Sequence, residues 1–154
     1  MQVRTRDRKD DMAMNETTPG RPAVLYVEDE PLNVLMMRAL FDYRPTLNLV
    51  IARNGTEAMD LSATLPLAML LLDLHLPDCH GADLLKKLRR LPTCMQAPAI
   101  AVTSDQNFDK RGTDFCEVWH KPFMLFQTLE RIDQRLLPRR RPGSPSQWVT
   151  LSAA

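Results

Sequence analysis

Three carboxylates and one ammonium follow apolar runs that have the length and composition of buried strands. In "LLLDLHLPDCHG", which begins at Leu70, three leucines run directly into Asp73. Glu28 and Asp29 follow the run "AVLYV", and Lys121 follows "EVWH". Carboxylates that crowd together repel one another, which raises one pKa or recruits a cation. Oxygen ligands of this kind suit Mg²⁺, which binds through one or two carboxylates together with phosphate.

This set of residues fits phosphoryl transfer onto Asp73. A carboxylate can attack a phosphoryl group and form an aspartyl phosphate. The metal and the Lys121 ammonium would balance the charge on the transferred oxygens. The hydroxyl of Thr103, at the end of the run "AIAVT", could hydrogen-bond the new phosphoryl oxygen.

Each of these residues also has a plain structural interpretation. The acids after "AVLYV" could favour a helix N-terminus through its dipole. Asp73 could be a turn residue, Thr103 a β-branched strand residue, and Lys121 part of an ordinary connection. Their shared position at strand ends favours a functional site.

Alternating hydrophobic periods predict the elements that must position these side chains. Five apolar runs predict strands, and helical spacing follows each of the first three and the last. A weak polar helix is predicted at 106–115. Apolar strands that alternate with helices predict a parallel sheet covered on both faces. The predicted fold is a doubly wound, flavodoxin-like five-stranded sheet with strand order 2-1-3-4-5 and a short or irregular fourth helix. The predicted strands are 23–27, 47–52, 67–73, 98–104 and 117–120, and the predicted helices are 31–41, 55–65, 82–91 and 123–137.

The first and last of these helices each show an apolar stripe. On the first helix the stripe comprises Leu32, Leu35, Met36, Ala39 and Leu40. On the last helix it comprises Phe126, Leu129, Ile132, Leu136 and Leu137. Such stripes are expected to face the core.

Composition limits the class of protein. The 154 residues suit one domain, predicted at 21–137 between a disordered tail at 1–20 and a second tail at 138–154. The net charge of +1 gives no field that indicates nucleic acid or a membrane as a partner. Three scattered cysteines fit a reducing compartment,. No run approaches the roughly 18 apolar residues of a membrane span, and no signal peptide is apparent, so a cytoplasmic location is expected.

The motifs together resemble a response-regulator receiver domain, the CheY-like module of bacterial two-component signalling. The matching pieces are "LYVEDEPLN", "LLLDLHLPDCHG", "AVTS" and "WHKPF", within a resemblance that runs from Pro22 to Leu137. The resemblance implies that Asp73 is the phosphoacceptor, that Thr103 is the switch hydroxyl and that Lys121 pairs with the phosphoryl group. It also implies a cis peptide bond before Pro122.

The same resemblance implies a Mg²⁺ site. Asp29 would bind the ion directly, and Glu28 would act mainly through water. Asp73 and the backbone carbonyl of His75 would complete the protein ligands. The side chain of His75 would project over the phosphorylation site.

Two departures from the family pattern concern the output surface. The family often has Tyr or Phe three positions before the lysine, where this chain has Val118, with Trp119 beside it. The segment between Thr103 and Lys121 is short and polar, which leaves the helix there in question. The signalling face that the family builds in this region is therefore expected to be unusual.

The resulting functional prediction is a stand-alone receiver domain that a histidine kinase or a histidine phosphotransfer protein phosphorylates. It would signal through protein contact or a phosphorelay and would not be an enzyme. Two alternatives stay open: a non-phosphorylated scaffold of the same fold, and a small Mg²⁺-dependent phosphatase with an aspartyl nucleophile. The sequence leaves open the cognate kinase, the downstream partner, a homodimer, and the roles of the 139–141 arginines and Trp148.

Overall fold

A five-stranded parallel sheet forms the centre of the computed structural model, which describes residues 15–136. The strand order is β2-β1-β3-β4-β5, which confirms the predicted flavodoxin-like topology. The strands are β1 (Ala23–Val27), β2 (Asn48–Ala52), β3 (Met69–Asp73), β4 (Ala99–Thr103) and β5 (Glu117–His120). The helices are α1 (Pro31–Phe41), α2 (Gly55–Ser62), α3 (Gly81–Leu88) and α4 (Leu125–Leu136). None of these helices is long and apolar enough to cross a membrane.

The sheet is buried on both faces because helices cover each side. All residues of β1, β3 and β4 are buried. Leu25 and Leu70 belong to a core cluster that includes residues of α2 and α3. Tyr26 and Leu71 belong to a second cluster, on the α1 and α4 side. Successive side chains of a strand point to opposite faces, so apolar runs without polar alternation are what this two-sided core requires.

The face of α1 that packs on the sheet differs from the predicted stripe. Its buried residues are Val34, Met37, Leu40 and Phe41. The predicted residues Leu32 and Leu35 are 61% and 63% exposed, and Met36 and Ala39 are also exposed. The helix carries large apolar side chains on two faces, so periodicity alone did not identify the face that packs.

The stripe on α4 was partly wrong. Leu129 and Ile132 are buried, as expected, and Leu136 packs against the same cluster. Phe126 is 79% exposed, because the buried face of this helix runs through Thr128 instead. Leu137 lies outside the described residues.

No helix forms between β4 and β5, so the weak helix predicted at 106–115 is wrong. The segment instead consists of turns and irregular structure. The side chains of Asp105 and Asp109 accept hydrogen bonds from backbone amides two residues further on, a local pattern that competes with helix formation. Phe115 is buried in the core beneath this segment, and its ring meets that of Phe108 edge to face.

Residues 15–20 lie along the outer edge of β2, although they fall in the predicted disordered tail. The side-chain amide of Asn15 donates to Ile51 O at 2.9 Å and accepts from Ile51 N at 2.8 Å. Asn48, on β2, makes a similar pair of bonds in the opposite direction. Its side chain accepts from the N–H of Thr18 and donates to the carbonyl of Thr18. These bonds satisfy part of an otherwise open sheet edge. Residues 1–14 of the predicted N-terminal tail, and the whole predicted tail at 138–154, lie outside the described residues.

Gly81 is needed at the start of α3 because the backbone after β3 passes against it. A Cβ at this position would lie 2.2 Å from the carbonyl oxygen of Asp73 and 2.9 Å from Leu74 Cα. We expect Gly81→Ala to lower the free energy of unfolding by about 2–3 kcal/mol, as overpacking against a fixed neighbour does. Urea unfolding monitored by circular dichroism would measure the loss.

Gly55→Ala is the matched control, because Gly55 also occupies the first position of a helix. There the added Cβ would meet Cys79 Sγ at 2.5 Å, the end of a side chain that can rotate away. A smaller loss of stability is expected for this variant. Equal losses in the two variants would show that the backbone at Asp73 yields as easily as a side chain.

Candidate functional site

The ammonium of Lys121 lies between two buried carboxylates at the carboxyl ends of the strands. Its Nζ is 2.9 Å from Asp73 Oδ2 and also donates to Glu28 Oε2. The side chain of Glu28 is 1% exposed, that of Asp73 9% and that of Lys121 12%. The three residues are far apart in the sequence and lie at the carboxyl ends of β1, β3 and β5, so the structure brings together the charges that were expected to meet.

The strand order explains how these charges reach one another. β1 and β3 are neighbours, paired from Val24 with Met69 to Val27 with Leu72. Glu28 and Asp73 therefore leave the sheet side by side. β4 separates β5 from β3, and strands lie about 4.8 Å apart, so only a long side chain can cross that gap. The four-carbon stem of Lys121 provides the length.

A hydrogen-bond network fixes the Glu28 carboxylate. Oε2 accepts from the Tyr26 hydroxyl at 3.0 Å and from Asn33 Nδ2 at 3.2 Å, and Oε1 accepts from Glu30 N at 3.1 Å. Burial, followed by the negative charge of Glu28, raises the pKa of Tyr26, so its phenol stays protonated and remains a donor. The carboxylate is therefore held in place beside Lys121.

The roles of Tyr26 and Asn33 were not predicted from the sequence. Tyr26 was read as part of an apolar strand, although it carries the one polar side-chain group of β1. Asn33 is the last residue of the motif "LYVEDEPLN", and nothing in the motif itself indicates that it contacts Glu28. A polar atom in a strand that ends at a buried carboxylate was the available signal.

The alternative interpretation, that the acids favour a helix N-terminus, has direct support at Glu30. Glu30 is the N-cap of α1, and its side chain accepts from Leu32 N. Glu28 instead points into the site. The acids after β1 thus divide between helix capping and the charged cluster.

Glu28, Asp29 and Asp73 form a cluster that could hold a metal ion. One carboxylate oxygen from each lies within 4.8 Å of the others. Two oxygens on opposite sides of one Mg²⁺ are about 4 Å apart, so the spacing is close to that of a single ion. Glu28 and Asp73 are buried, whereas Asp29 is exposed. A hard cation entering from solvent would therefore meet Asp29 first, and the all-oxygen donor set fits Mg²⁺.

The backbone of His75 holds the other oxygen of Asp73. His75 N donates to Asp73 Oδ1 at 3.1 Å, while Oδ2 accepts from Lys121. The His75 side chain is exposed, and its ring meets that of His80 edge to face at 5.8 Å. The carbonyl of His75 belongs to the same short loop. Its role as a metal ligand stays a prediction.

Thr103 lies at the end of β4 and is fully buried. Its hydroxyl accepts from Asp105 N at 3.0 Å, and its carbonyl accepts from Lys121 N at 3.0 Å. The residue before it, Val102, pairs with Asp73 across the sheet. Thr103 therefore sits at the same rim as the charged cluster, and its role as the switch hydroxyl stays a prediction.

Two buried carboxylates stabilise the charged form of Lys121. Burial alone would lower the pKa of Lys121, but the hydrogen bonds and charges of Glu28 and Asp73 outweigh it and raise the pKa. The Lys121-Pro122 peptide bond is cis, as the resemblance implied. The ammonium is thus charged at neutral pH and directed at the acids.

The two residues before His120 face opposite sides of the sheet. Val118 packs against the cluster on the α2 and α3 side. Trp119 is 2% exposed in the opposite cluster, and its Nε1 donates to Glu117 Oε2 at 2.6 Å. Arg131 of α4 lies over the ring, 5.8 Å from its centroid. The indole is therefore fixed away from the position where the family often places its mobile ring.

A comparison with protein families agrees with this geometry. The model for the response regulator receiver domain matches residues 24–116. This chain belongs to that family, whose members are phosphoacceptor domains of two-component signalling. The match ends before β5, so the position of Lys121 comes from the structure and not from the family match.

Two curated relatives show how the chain relates to whole proteins. The polar-differentiation response regulator DivK of Brucella anthropi is 30% identical over 120 residues, covering 74% of this chain and 95% of DivK. The uncharacterized transcriptional regulatory protein YkoG of Bacillus subtilis is 30% identical over 130 residues, covering 82% of this chain. This chain spans only 54% of the length of YkoG.

Solved structures share the fold. A CheY-like receiver domain from Methylobacillus flagellatus is 27% identical with a TM-score of 0.64, covering 75% of this chain and 98% of that one. The receiver domain of a sensor histidine kinase from Pseudomonas aeruginosa is 19% identical with a TM-score of 0.66, over the same shares of the two chains. That structure holds a magnesium ion coordinated in its active-site cleft. At 19% identity the likeness shows the fold alone.

Removing the Lys121 ammonium should destabilise the protein, since two buried carboxylates would lose their cation. In the presence of EDTA at pH 7 we expect Lys121→Met to lower the free energy of unfolding by about 2 kcal/mol. This is below the 3–5 kcal/mol of a fully buried pair, because the site opens to solvent on one side. Because the native state raises the pKa of Lys121, the contribution persists up to the ordinary lysine pKa of about 10.4 and fades only above it.

A double-mutant cycle with Asp73→Asn tests whether the loss comes from this interaction. The double variant should lose less stability than the two single variants added together. Lys86→Met is the control, because Lys86 pairs with Asp83 at 3.5 Å on the exposed surface and should change stability by less than about 0.5 kcal/mol. Strict additivity of the Lys121 and Asp73 variants would contradict the coupling.

Proposed function

We propose that this chain accepts a phosphoryl group on Asp73 from a histidine kinase or a histidine phosphotransfer protein, in a Mg²⁺-dependent reaction. The phosphorylated form would then signal through protein contact or pass the group along a relay. One observation carries the proposal: the ammonium of Lys121 lies 2.9 Å from a nearly buried Asp73 beside two further carboxylates. A phosphoacceptor needs this combination of a fixed nucleophile, a cation and metal ligands.

The contacts of Asp73 suit it to act as the nucleophile. His75 N and Lys121 Nζ each bind one carboxylate oxygen, which fixes the plane of the group. Each oxygen keeps a lone pair with which to attack phosphorus. The bond from phosphorus to the donor breaks as the bond to Asp73 forms, and the product is an acyl phosphate. Lys121 can then move its hydrogen bond to a transferred oxygen, since its stem is flexible and its charge is close by.

Glu28, Asp29 and Asp73 are the residues that would hold Mg²⁺. The bound ion would neutralise charge on the phosphoryl oxygens during transfer. Two features support this assignment: the spacing of the carboxylate oxygens, and the exposure of Asp29 to solvent beside two buried acids. The related fold from Pseudomonas aeruginosa, which holds Mg²⁺ in its cleft, supports it further.

An exposed apolar surface beside the site supports a protein as the phosphodonor. Five large apolar side chains on α1, on α4 or just before α4 are exposed: Leu32, Leu35, Met36, Met124 and Phe126. α1 begins three residues after Glu28, and α4 begins four residues after Lys121. Exposed apolar patches mark sites of protein contact. A partner helix that packs there would bring its phosphohistidine towards Asp73.

Phosphorylation by a small donor tests the function directly. Incubation with acetyl phosphate and Mg²⁺ should add a single phosphoryl group, detected by intact-protein mass spectrometry. The adduct should be absent from Asp73→Asn and from samples with EDTA. Asp109→Asn, in the exposed segment before β5, serves as the matched control and should be phosphorylated normally.

Other outcomes of this assay would point to the alternatives. Failure of the wild-type protein to form an adduct with acetyl phosphate or phosphoramidate would favour a non-phosphorylated scaffold. Rapid turnover of unrelated phosphate esters would favour a phosphatase. Either result would overturn the proposed function.

A further inference from the structure

The loop after Asp73 folds back on itself as a small hairpin. His75 and His80 form an antiparallel bridge at its base. Pro77 and Asp78 lie at the tip, between these two residues in the sequence. His75, at the base of the hairpin, is thus the residue whose N–H donates to the Asp73 carboxylate.

The tip of the hairpin is attached to a different element, the N-terminus of α2. Asp78 Oδ1 accepts from Gly55 N at 2.8 Å, and Oδ2 accepts from Thr56 N and from Thr56 Oγ1, both at 3.0 Å. The bond from Gly55 N, with those from Thr56, lowers the pKa of Asp78. Asn54 caps the next amide, that of Glu57, at 2.8 Å. The backbone amides in the first turn of α2 therefore donate partly to the helix's own N-cap, Asn54, and partly to Asp78 of the hairpin.

The two elements approach closely because α2 begins with glycine. A Cβ on Gly55 would lie 2.5 Å from Cys79 Sγ and 3.2 Å from Asp78 Oδ1. No side chain separates the helix end from the hairpin tip. The negative charge of Asp78 also lies where the helix dipole favours an anion. The attachment thus combines close packing, three hydrogen bonds and a favourable charge.

We propose that Asp78 is a positioning residue for the phosphorylation site: it fixes the hairpin tip to α2 and thereby fixes His75 at the hairpin base. The inference rests on the proposed function, since it concerns the same site. His75 N donates to the nucleophile Asp73 at 3.1 Å and so orients it, and the His75 carbonyl is the backbone ligand that the family resemblance implies for Mg²⁺. A tip that is free to move would let His75 shift relative to Asp73 and Asp29.

Outer residues that orient metal ligands typically change metal affinity by about 10- to 100-fold when they are replaced. Asp78 acts through the hairpin and not by touching a ligand, so the lower end of that range applies. We expect Asp78→Ala to raise the dissociation constant for Mg²⁺ about tenfold. Isothermal titration calorimetry with MgCl₂ measures this without any phosphodonor. Asp78→Asn, which keeps one acceptor oxygen, and Thr56→Val, which removes only the hydroxyl donor, should show smaller increases.

Asn54→Ala is the matched control, because it removes a cap from the same helix turn without touching the hairpin. It should lower thermal stability, as the loss of a cap does, and leave the Mg²⁺ dissociation constant within about twofold of wild type. Equal weakening of Mg²⁺ binding in Asn54→Ala and Asp78→Ala would overturn the proposal, since general loosening of α2 would then explain both. Asp83→Asn repeats the charge change on an exposed residue and should bind Mg²⁺ normally.

Failure of the inference and failure of the proposed function give different results. Normal Mg²⁺ affinity in Asp78→Ala, with wild-type phosphorylation intact, would remove the positioning role and leave the function. Weakened Mg²⁺ binding in Asp78→Ala, with no phosphoryl adduct on the wild-type protein, would do the reverse. If Asp78→Ala does not fold, Mg²⁺ titrations of Asp78→Asn and Thr56→Val decide, and wild-type affinity in both would overturn the proposal.

Discussion

The arrangement of the site depends on one constraint: carboxylates that leave two adjacent strands side by side must share a cation. Glu28 follows β1 and Asp73 ends β3, so the sheet itself forces the two charges together. Burial makes their repulsion stronger than it would be in water. Lys121 relieves it from the far side of β4, where only an extended side chain reaches. The hydrogen bonds from Tyr26 and Asn33 to Glu28, and from His75 N to Asp73, then fix the two carboxylates that Lys121 bridges.

At its β5 edge the sheet is covered by irregular structure and not by a helix between β4 and β5. With no helix between β4 and β5, Phe108 and Phe115 pack beside the strand in its place. Trp119 faces α4 and is held by Glu117 and Arg131. A surface that relies on a helix here, or on a ring that rotates at position 118, cannot form from these residues. Any output through this region of the described chain must therefore use turns and the edge of β5.

Much of this arrangement was predictable, for identifiable reasons. The strands were found because burial on both faces leaves uninterrupted apolar runs, as in "AVLYV" and "MLLLD". The strand ends then identified Glu28, Asp73 and Lys121, since parallel strands end at one rim. The α1 face was wrong because Leu32 and Leu35 match a helical stripe as well as Val34 and Met37 do. Asn33 and Asp78 were missed because their roles depend on partners that only the folded loops bring near.

The energetics of the charged cluster bear on the scaffold alternative. Taking Lys121 and two carboxylates out of water costs several kcal/mol per ion, which their attraction offsets only in part. Well-packed apolar residues in the same space are often equally stabilising or more so. A domain needed only as a rigid interaction surface would be served better by such residues. The cluster keeps charged groups at a solvent-facing rim, with Asp29 exposed beside them. A half-buried lysine whose pKa is raised by two carboxylate partners in this setting is characteristic of a site that performs chemistry,, and this favours the phosphoacceptor over the scaffold.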